Sequence, residues 1–146
     1  MKFSSVIALV STFALPTFAQ PLIAAQYNVT YDAFYDNPQT SLTEVACFDS
    51  LFTNGYTTFG SLPTFPNIGG MPDIIQNSSL CGTCWKLQYI TPAGQNESIF
   101  VTAIDTAYTY FNVSMEAFDE LTANTSIASG QVIASDSLVD LFYCGL

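Results

Sequence analysis

Hydrophobic and polar residues alternate with a period of two in several short segments of the chain, and this pattern predicts β-strands. The two clearest segments cover residues 85–90 and 98–104. Residues 91–96 lie between them and contain Pro92 and Gly94, which are typical of turns. The pattern therefore predicts a β-hairpin in the middle of the chain, with Asp105 at the exposed end of its second strand.

Weaker alternation predicts further strands over residues 26–35, 42–47, 131–134 and 138–144. Two helical segments are predicted as well: one turn over residues 48–52, and a short helix that begins after Ser114, whose side chain can cap it. Residues 56–80 contain three prolines and three glycines, and they predict a long loop. Together these elements predict a mostly-β fold with about six short strands in a closed or nearly closed β-barrel.

The first 19 residues are predicted to form a secretory signal peptide and to lie outside the fold. Lys2 supplies a positive charge near the start, an apolar stretch follows over residues 6–15, and the small Ala19 fits a cut after that position. A cut after Ala25 is the alternative. Residues 20–146 suffice for one domain with its own core. We therefore expect a secreted domain that acts outside the cell or in the cell wall.

The charge of the chain narrows the range of partners. The sequence has 12 acidic residues, two basic residues and no histidine, and Lys86 is the only basic residue after the predicted signal peptide. Nucleic acids and anionic membrane surfaces are bound through lysine and arginine. We therefore expect neither nucleic acid nor a membrane as a partner, and a neutral polar partner such as a polysaccharide instead.

Four cysteines, Cys47, Cys81, Cys84 and Cys144, predict two disulfides in an exported chain. The sequence alone leaves three pairings open. A redox site at the Cys81/Cys84 pair is the less favoured alternative, because no βαβ pattern precedes it and the other two cysteines would need partners. A zinc site would need a second pair of this spacing or histidines. No metal and no cofactor is therefore predicted.

Asp105 is the strongest candidate for binding chemistry, because a carboxylate at a strand end can accept hydrogen bonds from sugar hydroxyls. The structural alternative is an aspartate that caps its own loop. A glycoside hydrolase needs two carboxylates that flank the scissile bond, and no pattern pairs Asp32, Asp73 or Glu116 with Asp105. The lack of histidine also excludes a Ser-His-Asp mechanism. We therefore predict binding without catalysis.

Aromatic residues make up 14% of the chain and offer apolar faces on which sugar rings can stack. Trp85 lies in an alternating strand beside a cysteine and is predicted to belong to the core. Four aromatic residues in predicted loops are the better stacking candidates: Tyr56, Phe59, Tyr108 and Tyr110.

Five N-x-S/T sequences are candidate N-glycosylation sites in an exported chain. Their asparagines are Asn28, Asn77, Asn96, Asn112 and Asn124. We expect some of them, but not necessarily all, to carry glycans.

Several motifs occur together in the order that one protein family has. They are residues 56–74 with the Gly69-Gly70 pair, the sequence Cys81-Gly82-Thr83-Cys84-Trp85-Lys86, residues 98–101, Asp105 and residues 111–113. The early Tyr31-Asp32 pair and the late Cys144 fit as well. On these motifs, which extend over nearly the whole mature chain, the sequence resembles the cerato-platanins, a family of small secreted fungal proteins.

The resemblance implies a six-stranded double-ψ β-barrel with short helices and with the disulfides Cys47–Cys81 and Cys84–Cys144. It also implies a shallow groove that binds chitin, N-acetylglucosamine oligomers or other cell-wall glycans without hydrolysing them. The groove residues would be Asn67, Gly69, Gly70, Asp105 and Asn112, with Tyr31 and Asp32 beside them. A glycan on Asn112 would cover this groove, so either that sequon is unmodified or the groove is not used in this way.

The resemblance further implies expansin-like loosening of cell walls, elicitation of plant defence through plant surface receptors, and a monomer that tends to self-assemble. Two alternatives remain open from the sequence. One is a surface-active elicitor or phytotoxin whose groove is not the functional site. The other is a weak endoglucanase.

Overall fold

The computed structural model describes residues 25–146, which form a closed barrel of six β-strands. The strands are β1 Gln26–Tyr31, β2 Ile68–Met71, β3 Cys84–Ile90, β4 Asn96–Thr106, β5 Phe111–Val113 and β6 Gln131–Val139. This barrel confirms the mostly-β, six-stranded fold predicted from the sequence. The predicted signal peptide over residues 1–19 lies outside the described residues.

Around the barrel the strands follow the order β1-β5-β2-β4-β3-β6. The predicted hairpin is present, since β3 pairs with β4 in antiparallel register. Two pairs are parallel, β1 with β5 and β2 with β4. The first and last strands, β1 and β6, pair in antiparallel register from Gln26 to Thr30 and close the barrel. Strands that are distant in sequence therefore become neighbours in space.

Within the described part of the chain, two short α-helices accompany the barrel, α1 Phe48–Thr53 and α2 Met115–Thr122. Ser114 caps α2 as predicted, because its Oγ accepts a hydrogen bond from the Ala117 N–H at 3.0 Å. The Asp36 carboxylate accepts two more, from the N–H groups of Met115 and Glu116, both at 3.2 Å. A carboxylate also favours the positive end of the helix dipole. No helix in residues 25–146 is long and apolar enough to cross a bilayer.

The prediction of a strand over residues 42–47 was wrong, because the chain forms a 3₁₀ turn there at Leu42–Glu44. The Ser41 hydroxyl accepts a hydrogen bond from the Thr43 N–H at 3.2 Å, a local bond that competes with strand pairing. Leu42 and Val45, both buried, are three positions apart, which is a helical spacing and not the spacing of a strand face.

The strand β2 lies within the segment predicted to be a loop. All four of its residues are buried, so they show no alternation of hydrophobic and polar positions. Two of them, Gly69 and Gly70, belong to a residue type that is depleted in strands. The pattern that reveals an exposed strand therefore cannot reveal this one.

The two strands predicted near the C-terminus are a single strand, β6, followed by a 3₁₀ turn at Leu141–Cys144. The polar residues 135–137 made the middle of β6 look like a break in the sequence. The Asp140 carboxylate accepts a hydrogen bond from the Phe142 N–H at 2.9 Å and begins the turn.

One hydrophobic core includes residues from all six strands and from α2. Trp85 packs against this core and meets Phe111 edge-on, with ring centroids 5.7 Å apart, which agrees with its predicted core position. Phe59 was predicted to be an exposed stacking platform, and this was wrong, since its side chain is fully buried in the core.

The disulfides are Cys47–Cys81 and Cys84–Cys144, the pairs that the resemblance implied. The paired residues are 34 and 60 positions apart in sequence. Because Cys81 and Cys84 each pair elsewhere, they do not form a dithiol site. One disulfide attaches the start of α1 to the residues before β3, and the other attaches the C-terminal turn to β3.

Candidate functional site

Four residues that are far apart in the sequence lie side by side across β1, β5, β2 and β4. Thr30 is paired with Asn112, Asn112 with Gly70, and Gly70 with Asp105. A register shift between Gly69 and Gly70 allows the last of these pairings. The strand order therefore brings together three of the residues predicted for the groove: Gly70, Asp105 and Asn112.

Asp105 is half-buried and lies inside β4, one residue before the strand ends. Its Oδ1 accepts hydrogen bonds from the N–H groups of Ala46 and Thr106, at 3.0 and 2.8 Å. Its Oδ2 accepts one from the Tyr35 hydroxyl at 3.1 Å. The carboxylate thus links three segments of the chain. Since a carboxylate oxygen can accept two hydrogen bonds, Oδ2 keeps a lone pair for a ligand hydroxyl.

The Tyr35 hydroxyl is the partner of Asp105 that sequence reasoning missed. Tyr35 is buried, and burial raises the pKa of its phenol far above the ordinary value; the neighbouring Asp105 carboxylate raises it further. Asp32 and Tyr110 add smaller contributions in the same direction. Asp32, Tyr35, Asp105 and Tyr110 therefore lie in one neighbourhood. The only sequence signal for Tyr35 is its place at the end of the strand predicted over residues 26–35.

Alkaline pH should destabilise the fold through Tyr35. The pKa of this phenol is raised in the folded state. The free energy by which the protonated phenol stabilises the fold is therefore fully present below the unfolded pKa of about 10, and it is lost as the pH rises beyond that value. We expect the Tyr35→Phe variant to be roughly 1–2 kcal/mol less stable at pH 7, because a hydrogen bond to a carboxylate is lost. Above pH 10 the difference should shrink by up to about 1.4 kcal/mol per pH unit.

Urea unfolding of wild type and Tyr35→Phe between pH 7 and pH 11 measures both effects. Tyr108→Phe is the matched control, because Tyr108 is 82% exposed. Parallel stability curves for wild type and Tyr35→Phe above pH 10 would contradict the assignment.

Asn112 lies beside Asp105, with Gly70 between them, and its side chain is half-buried. Its Oδ1 accepts a hydrogen bond from the Thr30 hydroxyl at 2.9 Å. Within residues 25–146 its Nδ2 donates to no protein acceptor, so both of its N–H groups are available to a ligand carbonyl or hydroxyl. Asp105 and Asn112 therefore present an acceptor and a donor on neighbouring strands.

Among the five sequons, Asn112 is the least accessible. Its side chain is half-buried and hydrogen-bonded, and Ser114, the third residue of its sequon, is fully buried. The four other asparagines are exposed: Asn28, Asn77, Asn96 and Asn124.

Gly69 and Gly70, also predicted for the groove, are buried and offer no side chain to a ligand. A Cβ on Gly69 would overlap the carbonyl oxygen of Asn112, and one on Gly70 would lie 3.0 Å from the carbonyl oxygen of Thr106. Only glycine permits backbones to approach so closely. The two glycines therefore act indirectly, by setting the spacing of the strands that carry Asp105 and Asn112.

Tyr31 and Asp32, predicted to flank the groove, lie at the end of β1. The Tyr31 ring is half-buried against Phe118 of α2, with centroids 5.0 Å apart, so it belongs largely to the packing. Asp32 is exposed and caps the next turn by accepting a hydrogen bond from the Phe34 N–H at 2.9 Å. Of these two residues, Asp32 is the one that a ligand can reach.

Asn67 does not join Asp105 and Asn112. It lies three residues before Gly70, a distance of about 10 Å along an extended chain. Its Nδ2 donates to Oε2 of Glu120 in α2 at 2.9 Å. Its Oδ1 is buried and has no hydrogen-bond partner among residues 25–146. The residues predicted for a single groove therefore lie on two surfaces, and Asn67 belongs to the second.

We call the first of these the Asp105 surface; it comprises Asp32, Asp105, Tyr108, Tyr110 and Asn112. Tyr108 is the most exposed large hydrophobic residue among those described, and Tyr110 is half-buried. The surface combines two carboxylates, one free amide and two aromatic rings. Within residues 25–146, no three His, Cys, Asp or Glu side chains are placed so that they could hold a metal ion.

Residues 27–146 match the cerato-platanin family. An allergen of Aspergillus fumigatus is 38% identical over 153 aligned positions, which cover 99% of this chain and 97% of the allergen. The crystal structure of cerato-platanin 2 from M. perniciosa has a TM-score of 0.78 at 37% identity, and the match covers 84% of this chain and 100% of that one. The solution structure of the fungal elicitor cerato-platanin has a TM-score of 0.67 at 38% identity, with 80% and 95% covered. Since both the sequence and the fold match over most of their length, the chain belongs to the cerato-platanin family.

Proposed function

We propose that this chain is a secreted, non-catalytic glycan-binding protein whose ligand lies on the Asp105 surface. The observation that carries the proposal is the pairing of β5, β2 and β4, which puts the Asp105 carboxylate and the Asn112 amide on either side of Gly70. A neutral glycan supplies hydroxyl donors for the Asp105 carboxylate and oxygen acceptors for the Asn112 amide. Chitin and other polymers of N-acetylglucosamine also carry acetamide carbonyls, which suit the free N–H groups of Asn112.

The aromatic side chains near this pair favour a sugar ring over a smaller polar ligand. Tyr108 and Tyr110 follow β4 directly, and they offer apolar faces to the C–H groups of a pyranose. The chain has a formal net charge of −10, so a neutral glycan avoids the repulsion that an anionic polymer would meet.

The hydrogen bonds of the nearby carboxylates favour binding over hydrolysis. Asp105 accepts three hydrogen bonds from the protein, Asp36 caps α2, and Asp32 caps the turn that follows β1. A hydrolase needs a second carboxylate that is free to act as acid, base or nucleophile across the scissile bond. We therefore propose that the protein disturbs glycan packing, in the manner of wall loosening, without cleaving bonds.

Secretion follows in this proposal from the predicted signal peptide and from the two disulfides, which form and persist outside the reducing cytosol. One relative is described as a fungal elicitor. We propose the same role here, in which plant surface receptors recognise the exported protein or the glycans that it releases from packing.

A second candidate function is surface activity, as in a protein that assembles at interfaces. Four large hydrophobic side chains near the C-terminus are about half or more exposed: Leu138, Leu141, Phe142 and Tyr143. Such an exposed apolar patch is typical of an association surface. This function would not depend on Asp105.

NMR titration with N-acetylglucosamine oligomers tests the leading proposal. We expect amide shifts at residues 105–112 in wild type, and roughly tenfold weaker binding in Asp105→Asn, because a charge-assisted hydrogen bond becomes a neutral one. Asparagine is preferred to alanine at this position. Its Oδ1 can still accept from Ala46 and Thr106, and its Nδ2 can donate to the Tyr35 oxygen, so the fold is kept.

Asp73→Asn is the matched control, since it makes the same charge change at an exposed site. Asp73 has a positive φ of 61°, which asparagine tolerates well. Equal weakening in Asp73→Asn and Asp105→Asn, or ligand shifts that avoid residues 105–112, would overturn the proposal. Surface activity that persists with no glycan affinity at all would favour the second candidate.

A further inference from the structure

A cavity of about 480 Å³ lies between the C-terminal turn and α2, on the second surface identified above. Its lining includes Thr64, Asn67, Ser98, Phe100, Glu120 and Tyr143. None of these residues belongs to the Asp105 surface. The volume lies in the range of small-molecule binding pockets.

One wall of this cavity is aromatic. The rings of Phe100 and Tyr143 stack with centroids 4.9 Å apart and an angle of 15° between their planes. Tyr143 is nevertheless 56% exposed, so much of its ring remains open to solvent. The next residue, Cys144, is buried and bonded to Cys84 of β3, which fixes the position of the turn. The cavity therefore has a rigid aromatic platform on one side.

The facing wall is polar and negatively charged. Glu120 is exposed on the last turn of α2, and its Oε2 accepts the hydrogen bond from Asn67 Nδ2. This bond uses Oε2 and leaves Oε1 without a donor among residues 25–146. Ser98 and Thr64 add hydroxyl groups. Among the described residues, no lysine or arginine lines the cavity.

We propose that this cavity binds a protonated amino sugar, a hexosamine whose amine is free and carries a positive charge. The pyranose ring would stack on Tyr143, and the ammonium group would donate to the Oε1 of Glu120. The charge of the lining is negative, and the chain as a whole carries −10, so cations are attracted and anionic sugars are repelled. The acetamide of an N-acetylated sugar cannot form this ion pair, so the cavity selects for the free amine. This site is independent of the Asp105 surface and of the function proposed for it.

Paired NMR titrations with a glucosamine trisaccharide and with its N-acetylated counterpart test the inference. At pH 6 we expect the glucosamine form to shift the amides of Thr64, Glu120 and Tyr143. Glu120→Gln should weaken this binding about three- to fivefold, the effect of one partly exposed ion pair, and should leave binding of the N-acetylated form unchanged. Tyr143→Ala should weaken binding about tenfold through loss of the stacking face.

Two variants serve as matched controls. Glu116→Gln makes the same charge change on an exposed residue of α2 that does not line the cavity, and Phe142→Ala removes an aromatic ring beside Tyr143 that is 81% exposed. Both should bind the glucosamine form at this cavity as wild type does. Equal losses in Glu116→Gln and Glu120→Gln, or an absence of shifts at this cavity with the glucosamine form, would overturn the inference. Failure of Asp105→Asn to affect N-acetylated oligomers would overturn only the function proposed for the Asp105 surface.

Discussion

Replacement of Gly69 by alanine is expected to cost about 3 kcal/mol or more of folding free energy, a large share of the 5–15 kcal/mol typical of a domain. The added methyl group would overlap the carbonyl oxygen of Asn112 and would lie 2.7 Å from the Cα of Val113. Both are backbone atoms of the neighbouring strand β5, so no side-chain rotation can relieve the contact. Strands β2 and β5 would have to separate, and the Asp105 surface would lose its spacing.

Urea unfolding of Gly69→Ala measures this cost, and Gly94→Ala is the control. Gly94 has a positive φ of 80° in the turn of the hairpin, and a Cβ there would meet nothing within 4 Å. Its replacement should cost about 1 kcal/mol, from backbone strain alone. Equal losses in the two variants would contradict a specific role for the contact of Gly69 with strand β5.

Removal of the Cys84–Cys144 disulfide by a double substitution to alanine is expected to cost about 4 kcal/mol. The bond closes a loop of 60 residues, and the stabilisation grows with the size of the loop that is closed in the unfolded chain. Alanine is preferred to serine because both cysteines are buried, and a buried hydroxyl would add a cost of its own. Denaturant unfolding of the double variant against wild type gives the value.

The double variant of Cys47 and Cys81 is the control. It separates the loss of stability that follows removal of either disulfide from the loss of structure at the C-terminal turn. That bond closes 34 residues, so its loss should cost nearly as much. Only the loss of Cys84–Cys144 should also release Tyr143 from the cavity wall and weaken glucosamine binding. A loss of stability below 1 kcal/mol in the Cys84/Cys144 variant, or equal effects of both variants on glucosamine binding, would contradict this account.

The parts of the fold that the sequence predicted are those in which one face of an element is exposed. The hairpin of β3 and β4 shows a period of two because one side of each strand meets the core and the other meets solvent or a covering turn. The strand β2 has no such contrast, since all of its residues are buried. The sequence pattern also could not show that β1 and β5, or β2 and β4, are parallel neighbours. Which strands become neighbours depends on the path of the connections between them.

The sequence indicates residues to consider for the candidate site, but not the contacts that they make with one another. Asp105 and Asn112 stand out as polar positions beside predicted strands, and the resemblance to the family names both. The Asp105 carboxylate accepts hydrogen bonds from the Tyr35 hydroxyl and the Ala46 N–H. These residues are 70 and 59 positions away in the sequence, so only the tertiary structure shows the contacts. The separation of Asn67 from Asp105 likewise follows from the direction of one side chain towards α2. Aromatic residues at the C-terminus looked like part of a strand, and only the turn at Leu141–Cys144 places Tyr143 on Phe100.

The pairing of β1 with β6 has a consequence for how the protein is made. The strand β1 closes the barrel only against β6, the last strand within residues 25–146, which is synthesised 100 residues or so later. Contacts of high sequence separation therefore dominate. Until β6 arrives, a nascent chain exposes strand edges that can pair with other chains. The barrel can therefore close only when synthesis is nearly complete, and the Cys84–Cys144 disulfide likewise cannot form until Cys144 has been synthesised.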